Sequence, residues 1–310
     1  MRSEKINHSS DETAYRHYDD SGDAELTVCH VFEGVDIIFN SVHMDVCDLA
    51  AETSGRLIEI HHCREGRLEH QHRNELIYMM PGDLSISRRQ ESEDICHFPL
   101  RHYHGITIVI NEDTAPKCFS CLLKDVSVKP TKIADKLCGE DGCFVIRSEE
   151  YIEHLFSELY SVPVKYKKAY YKVKILELLL MLSWINPEDN GLVSVALPKT
   201  QVQLAKDAAE YLSMHLDERI TQEKLAGIFH VSRAHLCNIF KGVYGIPIYK
   251  YMRIQKIQVA ALQLIHTDRA IIDISIECGY DNPSKFSSAF KEIMGETPLE
   301  YRKAHTAPTE

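Results

Sequence analysis

The alternation of hydrophobic and polar positions divides the chain into a β-type front region and a helical back region. Between residues 25 and 110, short apolar runs are separated by turn signals such as Pro81-Gly82-Asp83. Short strands at regular spacing are typical of a β-sandwich or β-barrel. Residues 1–23 are polar with few apolar anchors, so we expect a mobile tail there. The predicted strands include Val35–Phe39, Leu57–Ile60, Leu76–Met80 and Ile106–Ile110.

Helical spacing replaces this pattern from residue 148 to residue 185. Apolar residues recur there every three or four positions in two stripes, which predicts two amphipathic helices. The segment Ile175–Leu182 is apolar around more than one face, so we expect a homodimer through residues 165–185, with ordinary core as the alternative. A run of Asn, Pro, Asp and Gly then predicts a linker over 186–199. The two stripes are Ile152, Leu155, Phe156 and Leu159, and Val173, Leu176, Leu180 and Trp184.

Beyond the linker, the sequence repeats itself with a period of 50 residues. Phe240-Lys241 and Gly245 recur as Phe290-Lys291 and Gly295. Because a Phe-Lys-x-x-x-Gly segment rarely recurs by chance, this period indicates two copies of one supersecondary unit.

Each copy has the features of a helix-turn-helix. In the first copy, Thr221 and Ser232 are placed to cap two helices joined by a short turn at His230. In the second copy, the predicted cap Asn282 is followed by a proline at the first helical position. The residues predicted to face inward are Leu225, Ala226, Ile228, Leu236, Ile239 and Phe240 in the first copy, and Ile274, Ser275, Phe286, Ala289 and Phe290 in the second.

With these motifs, residues 201–305 resemble the double helix-turn-helix DNA-binding domain of AraC/XylS-family transcription regulators. The resemblance covers about a third of the chain and implies that a helix around Arg253–Ile265 bridges the two units. Gln263 departs from the family pattern, which usually has leucine there. The residues that carry the resemblance are Leu225-Ala226, Val231-Ser232, Leu236, Phe240-Lys241, Gly245, Pro247, Tyr251, Arg253, Ala260, Thr267-Asp268, Ile274, Cys278-Gly279-Tyr280, Phe286, Phe290-Lys291, Gly295, Pro298 and Tyr301-Arg302.

The resemblance also implies which side chains meet double-stranded DNA. The second helix of each unit would enter a major groove, with the two grooves about 34 Å apart on one face of the duplex. Asn238 suits adenine and Lys285 suits guanine, whereas long basic side chains elsewhere suit phosphates. The expected base readers are Ala234, Cys237, Asn238, Ser284, Lys285 and Ser288, the expected phosphate contacts are Lys241, Arg253, Lys291 and Arg302, and Ser232, Arg233 and His235 complete the predicted interface.

The front region loosely resembles the cupin-like barrel common in that family, which implies sensing of a small molecule or dimerisation. Gly66, His70-x-His72, Glu75 and Gly82 echo the metal-cupin motif with altered spacing, and His102-x-His104 could add a ligand. We favour the alternative, in which these polar residues are exposed on a hairpin of a metal-free domain. No metal or cofactor is therefore expected.

The cysteines allow a second metal hypothesis. Cys118, Cys121, Cys138 and Cys143 could form a four-thiolate zinc site, but the spacing of the second pair is loose. Buried or incidental thiols are the favoured interpretation.

The acidic balance is confined to the front of the chain. The net charge is −11, yet residues 201–310 hold 13 basic and 13 acidic residues, so a basic DNA-facing surface remains possible. No apolar run reaches the ~18 residues that a membrane span needs, and the first 23 residues contain no apolar signal core. We expect a cytoplasmic protein with reduced cysteines and no membrane partner.

Together these features predict an α+β multidomain protein with a β-rich cupin-like barrel plus helices, followed by an all-α double helix-turn-helix domain. The predicted function is a sequence-specific DNA-binding transcription regulator, and the family resemblance implies activation, the commoner role there. No enzymatic activity is expected, because no nucleophile elbow or phosphate loop is present. The expected partners are promoter DNA, a second copy of the chain, an unknown small-molecule effector and RNA polymerase. The alternatives are a metal-binding cupin sensor or enzyme fused to a DNA-binding domain, and a DNA-alkylation repair protein with the same domain. The predicted parts are a tail (1–23), an effector-binding and dimerisation domain (24–185), a linker (186–199) and a DNA-binding domain (200–310).

Overall fold

The computed structural model divides the chain into two parts, Met1–Leu197 and Pro198–Glu310, called here the N-terminal part and the C-terminal part. The predicted linker falls around this division, but most of it lies outside the described residues. The structure describes residues 2–8, 12–49, 55–72, 75–89, 96–119, 128–139, 142–187, 197–216, 218 and 220–305.

The strands found among the described residues all lie in the N-terminal part and form two sheets. An eight-stranded sheet has the order β1-β2-β3-β4-β11-β6-β9-β12, and a four-stranded sheet has the order β5-β10-β7-β8. All recorded strand pairs are antiparallel. The strands are β1 (Arg2–His8), β2 (Glu12–Asp19), β3 (Gly22–Phe32), β4 (Val35–His43), β5 (Val46–Cys47), β6 (Leu57–Gly66), β7 (Leu68–His72), β8 (Glu75–Met79), β9 (Leu84–Arg89), β10 (Cys96–His97), β11 (Tyr103–Asn111) and β12 (Cys143–Ile146).

Three helices belong to the N-terminal part and seven to the C-terminal part of the described chain. Among the described residues, no helix combines the length and the apolar character needed to cross a bilayer. The helices are α1 (Pro130–Cys138), α2 (Glu150–Tyr160), α3 (Lys167–Trp184), α4 (Lys199–Met214), α5 (Gln222–Ile228), α6 (Arg233–Tyr244), α7 (Ile248–His266), α8 (Ile271–Glu277), α9 (Pro283–Met294) and α10 (Pro298–His305), with a short 3₁₀ turn at Val164–Tyr166.

The predicted α+β class is confirmed, with a sheet-rich front and a helical back. The four strands predicted from short apolar runs are present in β4, β6, β8 and β11. Their alternating side chains feed two apolar cores, of which one is covered by α1, α2 and α3 and the other includes residues from both sheets. Within the described residues the strands form two separate sheets and do not close into a barrel.

The predicted mobile tail is wrong, because most of its described residues lie in two strands. β1 pairs with β2, and β2 pairs with β3 along its whole length. Thr13 and His17 are buried, and Tyr15 packs against the apolar core. Successive side chains of a strand point to opposite faces, so every second residue of β2 lies on the covered face. Because the segment is polar overall, its composition did not reveal this alternation.

The two helices predicted over 148–185 are confirmed, but in the second helix the buried residues are not those of the predicted apolar stripe. Ile175, Leu178 and Leu182 of α3 are buried in the core, whereas Val173 is 61% exposed and Trp184 is 74% exposed. Leu176 and Leu180 are only partly buried against the same core. The predicted stripe is therefore the outward side of α3.

Candidate nucleic-acid interface

The first helix-turn-helix unit, residues 221–245, is held by two side-chain caps and an apolar interior. The backbone N–H of Lys224 donates to Thr221 Oγ1 at 3.2 Å, and that of His235 donates to Ser232 Oγ at 3.2 Å. These bonds satisfy donors that the first turn of α5 and α6 would otherwise leave without a partner. The inward positions were predicted correctly except Ile228, which is 37% exposed. The buried residues are Leu225, Ala226, Leu236, Ile239 and Phe240.

The second helix-turn-helix unit, residues 270–295, has the same plan with different caps. Asn282 Oδ1 accepts from the backbone N–H groups of Ser284 at 2.8 Å and Lys285 at 3.3 Å. Pro283 occupies the first position of α9, where no backbone donor is needed. All five residues predicted to face inward are buried: Ile274, Ser275, Phe286, Ala289 and Phe290.

Equivalent hydrogen bonds show that the two units are copies of one structure. The N–H of Val231 donates to the carbonyl of Ala226 at 3.0 Å, and that of Tyr280 donates to the carbonyl of Ser275 at 2.9 Å. α5 and α8 are 49 residues apart, whereas α6 and α9 are 50 residues apart. The second turn is therefore one residue longer, which is why the sequence period is 50 only from the second helix onward.

A 19-residue helix bridges the two units, as the resemblance implied. α7 packs against α6 of the first unit and against α8 and α9 of the second. The bridge thus begins at Ile248, five residues before the predicted start, and positions both second helices from one rigid element.

Most residues of the predicted interface are on the surface. The side chains of the second helices that point away from the apolar interior are accessible, as an interface with DNA requires. Cys237, Arg253 and Arg302 are only half-exposed. The exposed members are Ser232, Arg233, Ala234, His235, Asn238, Lys241, Ser284, Lys285, Ser288 and Lys291.

Gln222 organises the beginning of α6 and was not identified from the sequence. Its Oε1 accepts from Arg233 Nε at 3.0 Å and lies 3.5 Å from Cys237 Sγ. Arg233 Nε is also 3.2 Å from Glu223 Oε1. The first turn of α5 therefore orients two side chains of the predicted interface. The only sequence signal for this role of Gln222 was that Arg233 and Cys237 are one helical turn apart, so that a single acceptor can reach both side chains.

Two of the four predicted phosphate contacts are engaged within the protein. Arg253 pairs with Glu292, at 2.6 Å and 3.3 Å from its two carboxylate oxygens, and this hydrogen-bonded carboxylate raises the pKa of Arg253. Arg302 donates to the backbone carbonyls of Leu264 at 3.2 Å and Arg269 at 2.7 Å. Arg302 thereby caps the end of α7, a role that its position near the end of the chain did not predict.

The hairpin that echoes the metal-cupin motif is buried rather than exposed, contrary to the sequence expectation. Arg67, Glu69 and His70 are 3%, 2% and 7% exposed. Tyr78 Oη donates to Glu69 Oε2 at 2.6 Å, and burial lowers the pKa of Arg67 to about 10. These charges are covered because the hairpin belongs to the four-stranded sheet. The side chains of His72 and Glu75 lie outside the described residues.

The cysteines provide little evidence for either a zinc cluster or a reactive thiol. Cys121 of the hypothetical zinc site lies outside the described residues. Burial raises the pKa of Cys29, Cys47 and Cys138 to about 12. Thiols with raised pKa values are poor nucleophiles at neutral pH.

These features define the C-terminal part as a double helix-turn-helix domain of the AraC type. Residues 225–304 match the family model described as "Helix-turn-helix domain".

Two curated relatives and one solved structure illustrate the similarity. The bifunctional transcriptional activator/DNA repair enzyme AdaA of Bacillus subtilis is 36% identical over 94 residues, which are 30% of this chain and 44% of AdaA. The right origin-binding protein of Escherichia coli is 32% identical over 104 residues, 34% of this chain and 36% of that protein. The C-terminal domain of AraT, a response regulator from Geobacillus stearothermophilus, is 29% identical over 34% of this chain and 91% of that structure, with a TM-score of 0.33. The matches span less than half the length of both curated relatives.

Proposed function

We propose that the protein is a sequence-specific DNA-binding transcription regulator whose N-terminal part senses a small molecule and dimerises. The observation that carries the proposal is the pair of capped, outward-facing second helices held on one bridging helix. In a helix-turn-helix protein such helices enter the major groove, and their exposed side chains contact base edges. α6 and α9 would then occupy successive major grooves about 34 Å apart.

Selection of binding sites from random DNA by the full-length chain tests the DNA-binding proposal. We expect one motif composed of two boxes separated by about one helical turn, ~10.5 base pairs. Leu236→Asp, which disrupts the first unit, serves as a negative control. Selection that enriches no motif, with or without candidate effectors present, would overturn the proposal.

A polar groove on the eight-stranded sheet is the candidate effector site. It has a volume of about 420 Å³ and lies beside the end of α2. Charged, hydroxyl and imidazole groups line it, as expected for recognition of a small polar molecule. A β-bulge lies at its edge, because Gly105 pairs with Cys63 while His104 pairs with Glu65, which leaves Arg64 as the extra residue. The lining residues are Glu25, Thr27, Phe39, Asn40, Ser41, Arg64, Glu65, His104 and Tyr160.

A thermal-shift screen of small polar metabolites tests this site. A true effector should raise the unfolding temperature of the full-length chain and should lose its effect in Tyr160→Ala. Thr131→Ala, away from the groove lining, is the matched control. A compound that stabilises wild type and Tyr160→Ala equally would exclude the groove as its site.

The outward stripe of α3 supports the proposed homodimer. Val173 and Trp184 are strongly exposed on the same side as the partly buried Leu176 and Leu180. Exposed apolar residues arranged along one helix face favour association with a second copy. Light scattering should therefore give a dimer for the wild type and a monomer for Val173→Glu/Trp184→Glu. The control Tyr151→Glu, at an exposed position of α2 outside residues 165–185, should remain dimeric. A wild-type monomer at micromolar concentration would contradict the proposal.

The proposed function is regulatory rather than enzymatic, with promoter DNA and RNA polymerase as partners and activation as the outcome. The raised pKa values of Cys29, Cys47 and Cys138 support this over alkyl transfer by those thiols, although AdaA is bifunctional by name. In vitro transcription from a promoter containing the selected motif tests activation. An increase in transcript that depends on Asn238 would support it, and a decrease would indicate repression.

A further inference from the structure

Three histidines meet on the face of the eight-stranded sheet that carries the groove. Each of His43, His102 and His104 offers a ring nitrogen within 4.8 Å of the other two. Their ring centroids are separated by 5.4 Å, 5.3 Å and 4.7 Å. His43 ends β4, and His104 lies in the neighbouring strand β11. Adjacent strands thus bring together residues about 60 positions apart in the sequence.

We propose that His43, His102 and His104 bind a divalent transition-metal ion of the Zn²⁺ class. Imidazole nitrogens are preferred ligands of Zn²⁺, and three protein ligands with a further open position are typical of non-structural zinc sites. The proposal is independent of DNA binding. It replaces the expectation of a metal-free domain and uses a different ligand set from the His70-x-His72 motif.

The spacing of the three rings requires only small side-chain adjustments to hold a metal. A Zn–N bond of about 2.0 Å places tetrahedral ligand atoms ~3.3 Å apart. The nitrogens here lie within 4.8 Å of one another, so rotations about the side-chain bonds can close the remaining gap without moving the strands. His43 is exposed and the other two are half-buried, which gives the ion access from solvent.

A carboxylate beside the cluster can supply a further ligand or balance the charge. Glu65 Oε2 lies 3.7 Å from His102 Nε2, and Glu65 pairs with His104 across the strands. The opposing charge of Arg64 is partly neutralised, because its Nε is 3.8 Å from Glu65 Oε1 and its guanidinium lies over the Tyr160 ring at 4.2 Å. Since His104 and Glu65 also line the groove, a bound metal would face the candidate effector site.

Titration of the tag-free, chelator-treated full-length chain with Zn²⁺, in competition with a chromophoric chelator, tests the proposal. We expect one equivalent with submicromolar affinity and a rise in unfolding temperature on binding. His104→Ala should weaken this binding by roughly 100-fold or more, because loss of a second-shell partner alone costs 10- to 100-fold. His154→Ala, which removes an exposed histidine of the same part, is the matched control and should bind as the wild type does.

A second variant keeps the test decisive if His104→Ala does not fold. His43 is exposed, so His43→Ala should preserve the fold while weakening Zn²⁺ binding by a similar factor. Unchanged affinity in either folded variant, or no high-affinity equivalent in the wild type, would overturn the proposal. Operator binding in the presence of chelator reports on the DNA-binding function separately.

Discussion

The two helix-turn-helix units have the same backbone plan but differ in surface charge. Both bury equivalent residues, and both second helices end at a glycine in the left-handed region, Gly245 and Gly295. The first unit has three basic residues and one acidic residue, whereas the second has two basic and four acidic residues. The two units therefore share their packing but differ in surface charge. Because attraction to DNA depends on that charge, equal folds do not imply equal attraction to DNA.

The side chains available for contact differ in the same direction. In the first unit, Asn238 and Lys241 are exposed on α6. In the second unit, the hydroxyl of Ser288 already donates to the carbonyl of Ser284 at 2.9 Å, and Glu292 holds Arg253 in an ion pair. We therefore expect the first unit to supply most of the base discrimination and phosphate attraction.

The largest expected effect is the loss of the Asn238 amide. If it pairs with adenine, Asn238→Ala should cost about 1–3 kcal/mol of operator binding and relax specificity at one base pair. Ser288→Ala, the change at the corresponding position of α9, should have a smaller effect because its hydroxyl is bonded within the helix. Fluorescence anisotropy with the operator and single-base variants measures both. Equal losses would remove the proposed asymmetry.

The turns of the two units differ in their tolerance of a side chain. His230 has φ of 53° and Gly279 has φ of 77°, both in the left-handed region. Gly279→Ala should lower the free energy of unfolding by about 1–2 kcal/mol, since a Cβ is disfavoured there. His230→Gly should change it by less than about 0.5 kcal/mol, because relief of strain is offset by the flexibility of glycine in the unfolded chain.

Urea unfolding of both turn variants, followed by circular dichroism, provides the comparison. Fluorescence of the single tryptophan is unsuitable because Trp184 lies in the N-terminal part. A His230→Gly variant that is destabilised as much as Gly279→Ala would show that the His230 side chain has a structural role in the first turn.

Local features of the helix-turn-helix units could be predicted from the sequence because they depend on neighbouring residues. Caps at Thr221, Ser232 and Asn282 act on backbone groups two or three positions away, and helical spacing identified the buried faces. Ile228 was placed wrongly because α5 ends there, so helical periodicity no longer determines which way its side chain points.

Features that depend on contacts between distant segments could not be predicted. The pairing of Arg302 with carbonyls near the end of α7 and that of Arg253 with Glu292 each join residues more than 30 positions apart. The cluster of His43 with His102 depends on the register of β4 against β11, which the apolar runs do not specify. The burial of Arg67 and Glu69 likewise follows from a second sheet that composition alone did not reveal.

Neutralising an acidic residue of the second unit should reduce the charge difference between the units. Glu292→Gln releases Arg253 and should strengthen operator binding severalfold at low salt. The plot of log affinity against log salt should steepen by about 0.9 if Arg253 then contacts a phosphate. Glu210→Gln on α4 makes the same change in net charge outside both units. Equal effects of the two variants would indicate a general charge effect without a new contact.

The most local expected effect concerns the first helix of each unit, which has a side-chain cap in the first unit but not in the second. Thr221 Oγ1 accepts from the N–H of Lys224, whereas Ala270 has no side-chain acceptor and the N–H of Asp273 donates instead to the Ala270 carbonyl at 3.0 Å. Thr221→Ala should therefore destabilise the C-terminal part by about 1 kcal/mol. Ala270→Thr should stabilise it by about 0.5 kcal/mol, less than the reverse change, because the donor it would satisfy already has a partner.

Hydrogen exchange of the amides in α5 and α8 resolves these two changes locally, where global unfolding would average them. Thr221→Ala should speed exchange in α5 and leave α8 unchanged, and Ala270→Thr should slow exchange in α8 alone. If Ala270→Thr instead speeds exchange in α8, the carbonyl bond of Ala270 is the better cap. The second unit would then be more stable without a side-chain cap at residue 270 than with one.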